Sequence, residues 1–229
     1  MKGNTLDSQI KQLKDDLLNL GYMVEAANVT AATALLENDQ ETARALINND
    51  ALINGMRYAL ESGVINALST QQPSAHDLRL LTSILDLCTE LERIGDYAKG
   101  NSKVLLRSGG LGMPKPLKDV QYMARKAVDM LHRAMDAFVR EDIEAARSIM
   151  REDDLIDAFY EQIYFEAMDH AVEYPADLER INYLLWVAHN LERVADRTTN
   201  VCERSIFIVT GRINELSVDE VEGFSSEVR

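Results

Sequence analysis

The sequence predicts an all-α fold, a tandem repeat of two three-helix bundles with six long helices. Three observations carry that expectation. Only four prolines, Pro73, Pro114, Pro116 and Pro175, interrupt 229 residues, and so few breakers favour long helices over many short strands. Apolar residues recur at spacings of three and four over long stretches, the period of a helix that buries one stripe. Segments of the two halves also align without gaps, charged residues included, which is the signature of an internal duplication.

The elements follow in order. Leu6, Ile10, Leu13, Leu17, Leu20, Val24, Ala27, Ala31 and Ala34 form a heptad-like stripe, which predicts a long first helix packing lengthwise in a bundle. Asp39 is placed to cap a second helix carrying Ala43, Leu46, Leu52, Met56, Leu60, Val64 and Ala67, and the polar stretch Ser69-Thr70-Gln71-Gln72-Pro73 stops it. A third helix opens near Ser74 and runs to Arg107. The Gly/Pro-rich residues 108–116 read as a linker between a first repeat, 1–107, and a second, 117–216. In the second repeat one helix is expected over 118–140, another over 142–172, and a third from Pro175 to Thr210. The acidic, aperiodic residues 217–229 read as a disordered tail.

Composition narrows the function. With 46% hydrophobic and 27% charged residues, the chain has the make-up of an ordered globular protein. Its formal charge of −14 repels phosphate backbones and anionic membranes, which argues against nucleic acid and suits cations or basic protein surfaces. The longest compact apolar run, Tyr183-Leu184-Leu185-Trp186-Val187-Ala188, falls far short of the roughly 20 residues that span a bilayer, so no membrane insertion is expected. The start, Met1-Lys2-Gly3-Asn4, leads into a charged amphipathic segment without the apolar core of a signal peptide. Cys88 and Cys202 lie within helical patterns and read as buried free thiols in a reducing cytoplasm.

The duplication points to chemistry. At an offset of 100, Leu91-Glu92-Arg93-Ile94-Gly95-Asp96 matches Leu191-Glu192-Arg193-Val194-Ala195-Asp196; at an offset of 103, Asp50-Ala51-Leu52-Ile53-Asn54 matches Asp153-Asp154-Leu155-Ile156-Asp157. Each motif sets two carboxylates one turn apart on one helix face, a like-charge spacing that costs a few tenths of a kcal/mol. Leu78, Leu81, Leu85 and Cys88 form an apolar row whose next member is Glu92, and Leu178, Ile181, Leu185 and Ala188 lead to Glu192 in the same way. A glutamate in that phase must be neutralised, paired or bound to metal. Asp50 with Asn54, and Asp153 with Asp157, supply further oxygens, and an all-oxygen set suits hard cations such as Mg, Ca, Mn or Fe.

A plainer reading stands beside this one. In a chain with 38 acidic residues, a Glu-x-x-x-Asp is ordinarily a solvated face, with Arg93 and Arg193 as ordinary ion-pair partners. His189 is a further candidate ligand, but its counterpart is Thr89, which favours a local structural role. The Glu-x-x-His pair of di-iron bundles, a Gly-rich phosphate loop and a nucleophile elbow are all missing from the sequence. No catalytic residue is predicted, and the methionines and Trp186 read as packing.

The stretch Pro73-Ser74-Ala75-His76-Asp77-Leu78-Arg79, followed by Glu90-Leu91-Glu92-Arg93-Ile94-Gly95-Asp96, resembles the PhoU family, the accessory and regulatory proteins of phosphate-specific transport. So does the second copy, Asn190-Leu191-Glu192-Arg193-Val194-Ala195-Asp196-Arg197-Thr198-Thr199-Asn200. The resemblance covers residues 5–212 and implies a cytoplasmic homodimer of tandem bundles without catalytic activity. It implies a negative regulator of phosphate uptake and of the phosphate-starvation response, connecting the transporter's ATPase subunit with a membrane sensor histidine kinase. It further implies a divalent or trivalent metal ion, which could be Fe, Mn, Mg, Ca or Zn, held through Glu92 with Asp96 and Glu192 with Asp196. Asp50, Asn54, Asp153 and Asp157 match the family's second-helix polar positions. Gly100 stands where the second copy has Asn200, and Asn54 where it has the Asp157 carboxylate, so the first set is expected to be the weaker. A metal-dependent carboxylate-bundle enzyme and a metal store are the readings from other classes.

Overall fold

The computed structural model describes residues 3–109 and 117–212. Residues 110–116 of the expected linker and the expected tail, 217–229, lie outside them. The described helices are α1 (Gly3–Glu37), α2 (Gln40–Thr70), α3 (Ala75–Arg107), α4 (Leu117–Arg140), α5 (Ile143–Met150), α6 (Asp153–Glu173) and α7 (Leu178–Thr210), with a 3₁₀ turn, Pro175–Asp177, leading into α7. The fold is all-α, and the six-helix plan holds with one correction. The helix expected over 142–172 is broken at Arg151 and Glu152 into α5 and α6. The run Glu152-Asp153-Asp154 explains the break, because acidic side chains favour a helix's first turn over its interior. As a result Asp153 opens α6, whereas its counterpart Asp50 lies in mid-helix in α2.

The turns that start the second helix of each repeat are copies of one another. Asn38 and Glu141 have φ of 56° and 54°, and Asp39 N and Asp142 N each donate back five residues, to Ala34 O and Ala137 O, at 2.9 Å. This is a Schellman-type helix end with its left-handed residue. Asp39 then caps α2 by accepting from Glu41 N and Thr42 N, and Asp142 caps α5 by accepting from Ala145 N; each such cap is worth about 1 kcal/mol. Ser74 forms a capping box with Asp77 at the start of α3. Glu141 accepts the left-handed conformation, uncommon for its type, while bonded to Lys14 at 3.1 Å and His76 at 2.9 Å, which ties the second repeat's turn to α1 and α3.

α3 packs on α1, α2 and α7, and α4 packs on α1 and α7. Both halves share one apolar cluster, drawn from side chains such as Leu17, Leu60, Ile84, Leu87, Phe138, Ile163 and Leu191. Each such fully buried side chain contributes about 1.5–3 kcal/mol, against at most about 1 kcal/mol for an exposed ion pair. Apolar burial rather than surface charge therefore drives the fold. Cys88 and Cys202 are free and buried, as expected. No helix among the described residues is long and apolar enough to cross a membrane.

Several apolar positions differ from the sequence expectation. Leu78 and Leu178, placed at the head of the core rows, are 45% and 59% exposed, and Leu52 and its counterpart Leu155 are 62% and 60% exposed. Leu81 and Cys88 of the first row are buried as expected, but the buried band of α3 centres on Leu80, Ile84, Leu87, Leu91 and Ile94. The row from Leu78 to Glu92 lies about a quarter-turn to one side of that band on a 3.6-residue helix. Glu92 and Glu192 therefore sit at the rim of the core, half-buried, rather than within it. Trp186, expected to pack, is 48% exposed.

The two repeats meet along α3 and α7. Asn190 donates to Asn101 Oδ1 at 2.7 Å in a buried contact. Glu90 accepts from Asn200 at 2.9 Å and pairs with Arg197 at 3.1 Å. A Cβ on Gly100 would come within 3.3 Å of the Asn190 amide, so the missing side chain lets that amide lie against α3. Asn190→Ala should cost about 1–3 kcal/mol, because it strips a buried oxygen of its donor. Urea unfolding measures this, and an unchanged midpoint would count against the seam.

Candidate metal centre

The second repeat gathers the carboxylates that the sequence singled out. Asp153 and Asp157 stand one turn apart at the start of α6, and Glu192 and Asp196 one turn apart in the middle of α7. Asp153, Asp157 and Asp196 each offer an oxygen, and these oxygens all lie within 4.8 Å of one another. Oxygens bound to one hard cation at about 2.0–2.6 Å stand no more than about 5 Å apart, so the three can share an ion with small adjustments.

The electrostatics are those of an uncompensated cluster. Burial first, and then Asp157, Asp196 and Glu192, push the Asp153 carboxyl up to about 7. Asp157 is raised by burial and by Asp196, and Glu192 by burial and by Asp196, with His189 opposing. Asp153 Oδ1 and Glu192 Oε2 are buried without a hydrogen-bond partner. His189 Nδ1 lies 3.3 Å from Glu192 Oε2, close enough for attraction, but without hydrogen-bond geometry. Arg193 pairs with Asp196 at 3.3 Å. The orphaned Asp153 Oδ1 would be satisfied by a cation shared among Asp153, Asp157 and Asp196; Glu192, which the sequence also singled out, is not one of those three, though its charge acts on Asp153.

The first repeat brings its counterparts together differently. Asp50, 7% exposed, accepts from Lys99 Nζ at 2.5 Å and from Asn54 Nδ2 at 2.9 Å. Lys99 also lies 3.6 Å from Asp96. Glu92 is raised by burial and by Asp96, while Arg57 opposes. Arg93 pairs with Glu90 at 3.4 Å, not with Glu92. Sequence reasoning missed Lys99 and Arg57. Their counterparts, Thr199 and Tyr160, are uncharged at neutral pH, and that difference between the copies was the available signal.

Thiol chemistry is not favoured. Burial pushes the Cys88 and Cys202 thiols up to about 11 and about 12, leaving them protonated and unreactive. The arrangement is suited to holding a cation.

Comparison with known proteins agrees with the duplication. Residues 17–104 and 120–205 each match the family model described as the PhoU domain. The chain is 31% identical over 218 residues to the phosphate-specific transport system accessory protein PhoU homolog of Clostridium acetobutylicum, covering 95% of this chain and 100% of that one. It is 31% identical to the accessory protein PhoU of Escherichia coli over 206 residues, covering 90% and 86%. The crystal structure of the phosphate transport system regulatory protein PhoU from Streptococcus pneumoniae superposes with a TM-score of 0.86 at 29% identity, covering 92% of this chain and 100% of that one. PhoU from Pseudomonas aeruginosa gives 0.85 at 29% identity, covering 90% and 99%.

The raised Asp153 carboxyl sets a pH dependence. Between its ordinary 3.8 and about 7 the folded chain holds a proton that the unfolded chain has released. Its contribution to stability is therefore greatest below that window and is lost as pH rises through it. Without metal, Asp153 should contribute a fall in melting temperature between about pH 4 and about pH 7, so Asp153→Asn should gain on the native chain as pH rises through that window. A thermal melt series on both proteins checks this, and equal slopes would refute it.

Proposed function

The chain belongs to the PhoU family, and on that premise we propose that it is a non-catalytic regulator of phosphate uptake and of the phosphate-starvation response. The observation that carries the proposal is the pair of PhoU-domain matches, one on each repeat, together with relatives named as accessory proteins of phosphate-specific transport. On this reading the protein works in the cytoplasm as a homodimer and connects the transporter's ATPase subunit with a sensor histidine kinase. Exposed apolar side chains on α2 and α6, among them Leu52, Ile65, Leu155 and Phe165, supply surface for such contacts. The net charge of −14 favours partners that present basic patches.

The second carboxylate set is the proposed metal site. Asp153 and Asp157 from α6, and Glu192 and Asp196 from α7, would hold a hard cation. The ion would supply positive charge that draws the two helices together. The orphaned oxygens of Asp153 and Glu192 support the assignment.

Two measurements test these statements separately. Deleting the gene should raise phosphate uptake and derepress starvation genes in phosphate-replete cells; unchanged uptake and expression would overturn the regulatory reading. Glu192→Ala combined with Asp196→Ala should abolish metal at the second set with helicity nearly unchanged. Elemental analysis alongside circular dichroism reads both, and undiminished metal content would remove the site assignment.

A further inference from the structure

The two carboxylate sets descend from one plan, yet they are balanced by different means. In the first repeat Lys99 Nζ reaches from α3 to Asp50 of α2 at 2.5 Å and lies 3.6 Å from Asp96 on its own helix. It thus bridges the two helices that carry the first set, as a cation would bridge α6 and α7. The corresponding side chain in the second repeat, Thr199, turns its hydroxyl onto its own helix, donating to Asp196 O at 2.8 Å. Arg57, whose charge opposes the raised affinity of Glu92 for a proton, is replaced by Tyr160 in the second repeat.

The ligand sets differ in the same sense. Asn54 is a donor to Asp50 at 2.9 Å, where Asp157 offers a carboxylate. Asp50 is buried and Asp153 half-buried, but Asp153 Oδ1 has no hydrogen-bond partner and Asp50 Oδ2 has two. A divalent cation entering the first set would meet an ammonium already on its principal buried ligand, and like charges repel strongly where water is scarce.

We propose that Lys99 is the built-in occupant of the first repeat's cation position, so that the native chain takes metal in its second repeat alone. This rests on the reading of the second set as a metal site. The first repeat is then closed permanently by a covalently attached charge, and the second is closed by a diffusible one. Only the second half responds to the metal supply.

Mn²⁺ titration of the purified full-length chain, with bound metal measured after desalting, tests the inference. In a background carrying Asp153→Asn and Asp196→Asn, no Mn²⁺ should remain bound. Adding Lys99→Thr to that background should restore at least one Mn²⁺ per chain, and adding Asn54→Asp as well should strengthen it. Glu92→Gln should then remove the gained ion. In the otherwise native chain, Glu92→Gln replaces a half-buried side chain with its isostere and should leave the Mn²⁺ content unchanged. A loss there, or no gain from Lys99→Thr with Asn54→Asp in a folded protein, overturns the proposal. A native chain that binds no Mn²⁺ at all overturns the second-set reading instead, and the gain on Lys99→Thr still decides the role of Lys99.

Discussion

A carboxylate held at the rim of a helical core needs a compensating charge, and the arrangement of this molecule follows from how that need is met. Removing an ion from water costs several kcal/mol even after relaxation, more than burial of a single leucine returns at about 1.5–3 kcal/mol. The shared apolar cluster is large enough to hold such groups in place, but it does not neutralise them. In the first repeat Lys99 does so for Asp50 and Asp96, while Arg57 only opposes the rise at Glu92. In the second, Arg193 pairs with Asp196 and a poorly aligned His189 lies beside Glu192, while Asp153 has neither and keeps its proton up to about 7. One backbone plan therefore presents one site filled by a cationic side chain and one left unsaturated.

Much of the fold was legible because its signals are local. Asp39 and Ser74 are caps whose side chains bond the next few amides, and the stripe of α1 needs only a helical period to be recognised. The errors fell where a second helix decides the outcome. Leu78, Leu178 and Leu52 were placed on apolar stripes by their spacing, but which side of a helix is covered depends on where its neighbours lie. The break before Asp153 has no echo in the first repeat, because Asn48-Asn49-Asp50, at the matching positions, runs on as continuous helix.

The candidate ligands were legible for a related reason, and Lys99 was not. Alignment of the repeats brings out what the copies share, namely Glu92 with Glu192 and Asp96 with Asp196. A compensating cation is visible only as a difference, Lys99 against Thr199, three residues past the last matched aspartate. Its partner Asp50 lies 49 residues away in sequence, so no helical periodicity connects the two. Identity between duplicated halves locates a site, while divergence between them determines what fills it.

α7 gives the unsaturated site its reach. Glu192 and Asp196 lie on the same two turns as Asn190 and Arg197, which bond Asn101 and Glu90 across the seam to α3. On the proposed reading, a cation between α6 and α7 acts on a helix that is already fastened to the other repeat. α3 in turn is fastened to α2 through Lys99 and Asp50. Because that second fastening is part of the chain itself and cannot diffuse away, only the junction of α6 with α7 would change its fastening with the metal supply. Leu155, Tyr164, Phe165 and Val172 are exposed on α6, so part of the apolar surface offered to a partner lies on the helix that carries two of the proposed ligands.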